Sequence, residues 1–338
     1  MKTQTAILGY CVAMALAGCS RPKEDSLFKF PVEKLRDIDY TAAPASSLLQ
    51  DDMLLAEFKV VDSAVISYLV MENEFLSVSF LNQDTPPLRL CRKGRGPGEF
   101  AVMAPPLDYY NGHLTLFDLK YRKYYSLDLQ QSIDSAKTVI SREVQMVDTT
   151  TAIWPLLSAF QTGNDSLLLH TSKKMEDPPQ FYLMDLKSGE QLREYAYFSK
   201  GPRSLFKSID CINPERNVLF SAMIRIPQIN YLDLRTGSIK GFRLEGRPRL
   251  NRDKQYLYFM SVSTYQDLIY ALYSGEREID YRAPQSPSTL YVFDWEGNIR
   301  AKYLLDDAYL RCSVSEDGTI YLSKLREDGA EELWCLAE

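Results

Sequence analysis

The chain has 338 residues, 45% of them hydrophobic and 25% charged, with a formal net charge of −6. These are globular proportions, and they exclude disordered, collagen-like and low-complexity chains. With two histidines in the chain (His113 and His170), a His-rich metal site is excluded and Ser-His-Asp chemistry has two candidate bases.

The N-terminus reads as an address. Lys2 precedes a 12-residue apolar run, Ala6 to Ala17, which ends in Leu16-Ala17-Gly18-Cys19. A basic start and a short apolar core make a secretory signal, too short to span a bilayer. The small residues before the cysteine resemble the lipobox of bacterial lipoproteins, which implies cleavage after Gly18 and lipidation of Cys19. That leaves 320 residues with one fewer cation, a net charge of −7. Residues 19–50 are expected to form a lipidated tether. Lys23-Glu24-Asp25 within it is similar to signals that send some Bacteroidetes lipoproteins to the cell surface, so a periplasmic and a surface-exposed face both stay open. Nucleic acid is not expected as a partner of an exported acidic protein.

From residue 51 onward the chain is written in short alternating segments such as Phe75-Leu76-Ser77-Val78-Ser79-Phe80 and His113-Leu114-Thr115-Leu116-Phe117. Alternation over four to eight residues marks half-buried strands. A repeat then selects the architecture. Phe181-Tyr182-Leu183-Met184-Asp185-Leu186-Lys187-Ser188-Gly189 has copies ending in Asp233 to Gly237 and Asp294 to Gly297, and a fourth at Asp128 that lacks the glycine. Each copy predicts a strand that ends in an Asp-led turn. The aspartates are spaced by about 55 residues, the mark of propeller blades. Six blades fit, with cores at 63–93, 107–145, 152–198, 207–245, 255–305 and 308–336. The strand at 53–60 is expected to complete the last blade and remove an open sheet edge. The predicted fold class is therefore an all-β, six-bladed propeller over 51–338. Two β-sandwich domains are the alternative.

Four cysteines remain in the mature domain: Cys91, Cys211, Cys312 and Cys335. Their wide spacing forms no CxxC and fits buried thiols, although an exported compartment permits disulfides. The alternating tyrosines at 124, 182, 231, 256, 258, 291 and 321 read as packing between blades.

The segment Arg92-Lys93-Gly94-Arg95-Gly96-Pro97-Gly98-Glu99-Phe100 resembles a motif of the TolB-like, six-bladed β-propeller lipoproteins of Bacteroidetes. The hairpin repeats and lipobox agree with that family. The resemblance implies an outer-membrane lipoprotein that binds a ligand or protein, and it carries no catalytic assignment. The motif also lacks the spacing of a phosphate loop. Related basic connectors recur at Lys200-Gly201-Pro202-Arg203 and Gly246-Arg247-Pro248-Arg249. If each joins an outer strand to the next inner strand, one face of the disc gathers Arg92, Arg95, Lys200, Arg203, Arg247 and Arg249. Such a rim would attract an acidic glycan or an acidic protein surface. No cofactor, metal or catalytic residue is expected, and a monomer is. The competing reading is a glycan lyase or hydrolase with its site at the channel mouth; a structural subunit of an envelope assembly is a third.

Overall fold

A computed structural model describes residues 27–53, 57–69, 72–81, 83, 85–96, 98–105, 108–147, 156–172, 177–198, 203–245, 256–277, 286–326 and 331–336. It is a six-bladed β-propeller, each blade an antiparallel meander running from the central channel outward. Blade 1 holds β4 (Phe58–Val61), β5 (Ala64–Tyr68), β6 (Glu74–Phe80) and β7 (Leu88–Arg92). Blade 2 holds β8 (Asp108–Tyr110) to β11 (Ile140–Gln145), and blade 3 holds β12 (Ser158–Thr162) to β15 (Gln191–Tyr195). Blade 4 spans β16 (Ser208–Asn213) to β19 (Ile239–Leu244), and blade 5 spans β20 (Tyr256–Tyr265) to β23 (Ile299–Leu305). Blade 6 has β24 (Arg311–Val314), β25 (Ile320–Leu325), β26 (Glu331–Leu336) and β3 (Ala45–Met53).

An N-terminal strand does close the last blade, but it comes from further upstream than 53–60. β3 pairs antiparallel with β26, while β4 is the inner strand of blade 1. The alternation in Glu57-Phe58-Lys59-Val60 explains the split: Phe58 and Val60 pack with Tyr321 and Leu333 of blade 6, leaving Glu57 and Lys59 for the channel wall.

The segment read as a tether through residue 50 is structured from Leu27. β1 (Val32–Leu35) adds in parallel to β19, and β2 (Thr41–Ala43) adds in parallel to β23. Leu27 and Phe28 are buried between blades 3 and 4. Residues 27–53 thus form a strap across the outer edges of blades 4, 5 and 6.

Six apolar clusters fill the six seams between blades. Tyr124, Tyr182, Tyr231, Tyr258, Tyr291 and Tyr321 are buried in them, and Tyr256 lies at the edge of one. The closing seam between blades 6 and 1 has the smallest cluster among the described residues, built on Phe58, Val60, Val65, Tyr321 and Leu333.

The Asp-led turns hold as their chemistry requires. Asp185 Oδ1 accepts from the Lys187 amide at 2.6 Å, Asp233 Oδ1 from Arg235 at 2.8 Å and Asp294 Oδ1 from Glu296 at 3.0 Å. Asp128, without a following glycine, instead caps α1 (Leu129–Ser135), accepting from the Gln131 amide at 2.9 Å. In blade 5 the strand β21 (Leu268–Arg277) carries Tyr273 and extends to Arg277, and residues 278–285 lie outside the described set.

Gly189 combines two demands. Its φ is +75°, and a Cβ there would sit 2.1 Å from the Gln145 carbonyl oxygen of blade 2. Gly98 has the same φ with nothing within 4 Å. Gly189→Ala is therefore expected to cost about 3 kcal/mol, strain plus forced separation of two blades, and Gly98→Ala about 1 kcal/mol. Equal losses in denaturant titrations would refute the backbone clash.

Candidate functional site

The inner strands of all six blades line a central cavity of about 460 Å³, a volume that suits a small-molecule ligand. Its walls differ in chemistry. Blades 6, 1 and 2 contribute Arg311, Glu57, Lys59 and Asp108, whereas blades 4 and 5 contribute Ile209, Leu257, Phe259 and Met260.

On the charged wall, Arg311 Nε lies 3.9 Å from Glu57 Oε2. Burial raises the Glu57 carboxyl above its usual range despite the opposing charges of Arg311 and Lys59. Glu331, beside the same arginine, is raised by burial too. Asp108 is the most perturbed of the three. It touches the channel space yet is ringed by protein, and burial pushes its carboxyl up to about 6 against the charge of Lys59. Its Oδ2 is buried with no hydrogen-bond partner among the described residues.

A carboxylate held this way costs stability. An acid whose folded pKa is raised loses folding free energy as pH climbs from its unfolded value, near 4, through 6. Asp108→Asn is expected to stabilise the protein by about 1–3 kcal/mol above pH 6 and to leave it little changed near pH 4. Thermal melts at the two pH values measure the difference, and destabilisation at pH 7.5 would contradict it.

Between blades 3 and 4 lies a second polar group, whose Asp210, Ser158 and Ser208 also line the cavity. Asp210 of β16 accepts hydrogen bonds from Ser158 Oγ at 2.8 Å, Ser208 Oγ at 2.7 Å and His170 Nδ1 at 2.8 Å. The Asp210 and His170 side chains are fully buried. Burial alone would raise the Asp210 carboxyl, but the His170 charge and these hydrogen bonds bring it below its usual range. The His170 ring stacks on Phe181 at 4.1 Å, and its Nε2 has no partner among the described residues. His170 therefore braces a seam and does not reach the channel space. His113 bonds the Asn111 carbonyl at the start of β9 (His113–Asp118).

The segments carrying the three basic motifs run from β7 to β8, from β15 to β16 and from β19 to β20, each linking an outer strand to the next inner one. Arg92 and Arg95 are exposed on the first connector. Arg92 Nε is 3.6 Å from Glu99 Oε1. Arg203 opens a single 3-10 turn, Arg203–Phe206, while Lys200, Arg247 and Arg249 lie outside the described residues, as does Cys19.

The Gly-rich motif is a self-contained turn. Glu99 Oε2 accepts from the Gly96 amide at 2.8 Å, and that bond, with the Arg95 amide and the Arg92 charge, holds the carboxyl below its usual range. A Cβ on Gly94 would fall 1.8 Å from the same oxygen. Phe100 then anchors the turn, packing edge-on against Tyr125 at 5.0 Å.

Sequence reading missed the channel charges and the His170–Asp210 pair. The channel signal was present in Glu57-Phe58-Lys59-Val60, where charged residues alternate with buried ones on a strand entering the first blade. The buried pair joins residues 40 apart on two blades, with no local pattern to reveal it. Cys91, Cys211, Cys312 and Cys335 are free thiols, the first three buried, and burial raises those three above the ordinary thiol range. Among the described residues, no cluster of three or more His, Cys, Asp or Glu is arranged to hold a metal.

Blades and channel together define a six-bladed β-propeller. No protein-family model matches the chain, and no match exists among curated proteins. Solved structures share the architecture. A member of the DUF4221 family from Bacteroides vulgatus superposes with a TM-score of 0.55 at 11% identity, over 93% of this chain and 98% of its own. A Bacteroides fragilis protein assigned as exported gives 0.52 at 12% identity, over 91% and 99%. U3-55K gives 0.50 at 10% identity, over 87% and 98%. At such identities the likeness is one of fold.

Proposed function

We propose that the protein is a lipid-anchored envelope propeller that binds an acidic glycan on the face carrying its outer-to-inner connectors. The observation that supports this reading is the strand order, in which each of the three segments carrying a basic motif links an outer strand to the next inner one. Clustered arginines on an acidic protein focus potential locally and pair well with carboxylates. The lipobox ending in Cys19, together with the TolB-like resemblance of the Gly-rich motif, supports an outer-membrane lipoprotein; the exported assignment of the B. fragilis neighbour is consistent with it.

A glycan array with acidic and neutral members tests this, comparing wild type with a variant carrying Ala at Arg92, Arg95, Lys200, Arg203, Arg247 and Arg249. Binding confined to acidic glycans and lost in the variant is expected. Unchanged binding by the variant would overturn the reading, and binding to acidic envelope proteins alone would replace the glycan by a protein surface.

Asp108 favours a second reading. A carboxyl raised to about 6 in a ligand-sized cavity suits general acid–base work on a glycan. Shortened or unsaturated products from acidic polysaccharides, abolished by Asp108→Asn, would establish a hydrolase or lyase.

A further inference from the structure

The strap fixes where the chain enters the disc. Leu27 and Phe28 are buried between blades 3 and 4, and Phe28 forms a bridge with Phe198 at the end of blade 3. Phe30 packs against Tyr197 with ring centroids 5.2 Å apart. From there the chain pairs successively with β19, β23 and β26 before it enters blade 1. These attachments extend over three blades, so the strap cannot peel away without breaking backbone ladders. Any chain upstream of Leu27 therefore leaves from the perimeter between blades 3 and 4.

We infer that the disc is held to the bilayer on a short leash tied to this perimeter, an inference that rests on the lipidation of Cys19 proposed above. Eight residue steps separate Cys19 from Leu27, and whatever their conformation they span at most about 27 Å. A free tether reaching residue 50 would allow roughly 105 Å. The difference decides what the protein can reach. A 105 Å tether would let the disc sample the space well beyond the lipid, while a 27 Å leash confines it to the headgroup surface. Because the leash meets the disc beside the connector that leaves blade 3, where Phe28 bridges Phe198 and packs with Tyr197 and Phe206, the outer seam of blades 3 and 4 lies nearest the lipid. The fitting partner class is a component held at that same membrane surface. Blade 1 lies across the disc: two four-stranded blades put about 29 Å between the opposite rims before the channel width is added.

Energy transfer from the protein to headgroup-labelled acceptors tests the leash. The full lipidated chain, with its acyl mass confirmed, is placed in phosphatidylethanolamine/phosphatidylglycerol vesicles. A donor is attached through Glu33→Cys on the strap or Arg89→Cys on blade 1, both exposed positions, in a Cys335→Ser background. Transfer is expected to be stronger from position 33 than from 89. It should fall at 33 when twenty Gly/Ser residues are inserted between residues 26 and 27. Equal transfer from both positions, or transfer at 33 unmoved by the insertion, overturns the inference. A chain that carries no acyl group strikes instead at the proposed anchor, which mass measurement alone reveals.

Discussion

Replacing Asp210 by alanine is expected to lower the melting temperature by about 4–7 °C, the equivalent of 3–5 kcal/mol in a chain of this size. The carboxylate is fully buried and satisfies three donors, Ser158, Ser208 and His170, from two adjacent blades. Its removal leaves the His170 ring buried without its partner, together with two hydroxyls that lose their acceptor. The pair need not be a net source of stability; breaking it on one side is what costs. Replacing Asp210 and His170 together by leucine is therefore expected to cost less than Asp210→Ala alone. The pH profile supplies a second readout. Because the folded carboxyl lies below its usual range, its contribution is complete above the unfolded value and is lost as pH falls through the folded one. Wild type should show this acid slope and Asp210→Ala should lack it. A variant that melts with wild type between pH 5 and 8 would sink the argument.

The second large effect belongs to the strap. A chain starting at residue 54 lacks β1, β2 and β3, so blade 6 keeps three strands and the outer edges of β19, β23 and β26 lose their partners. The seam beside it, between blades 6 and 1, already has the smallest apolar cluster. The truncated chain is expected to lose cooperative unfolding or to melt more than 10 °C lower. Phe28→Ala should reproduce part of this, about 3 kcal/mol, because it empties a buried site at the far end of the strap. A truncated chain with an unchanged midpoint would show that the blades close without the strap.

What could be read beforehand was whatever the chain encodes locally. An aspartate that takes the amides of the next residues, followed by a glycine, ends the third strand of blades 3, 4 and 5, and its spacing counted the blades correctly. The fourth copy departs where its sequence departs: without glycine after Asp128, the chain turns into α1. The strap escaped for the opposite reason. Val32-Glu33-Lys34-Leu35 is only four residues long and does not alternate, and its pairing partner, β19, lies some 200 residues away, so nothing nearby marks it as a strand. The charged channel wall was hidden by assigning residues 53–60 to one strand. Two strands of different blades meet there, and the alternation of Glu57 and Lys59 belongs to the second alone.

The strap also sets an order of assembly. Residues 27–53 are synthesised before any blade, yet the strands they pair with lie at 239–244, 299–305 and 331–336. Ala45 reaches across 261 positions to Asp306. β1 has no strand partner until blade 4 exists, β2 none until blade 5, and the ring has no closure until β3 can pair with β26 of blade 6. Contacts so distant along the chain form late, after their long loops have been drawn in. The ring of a growing chain therefore stays open until its last strand is made.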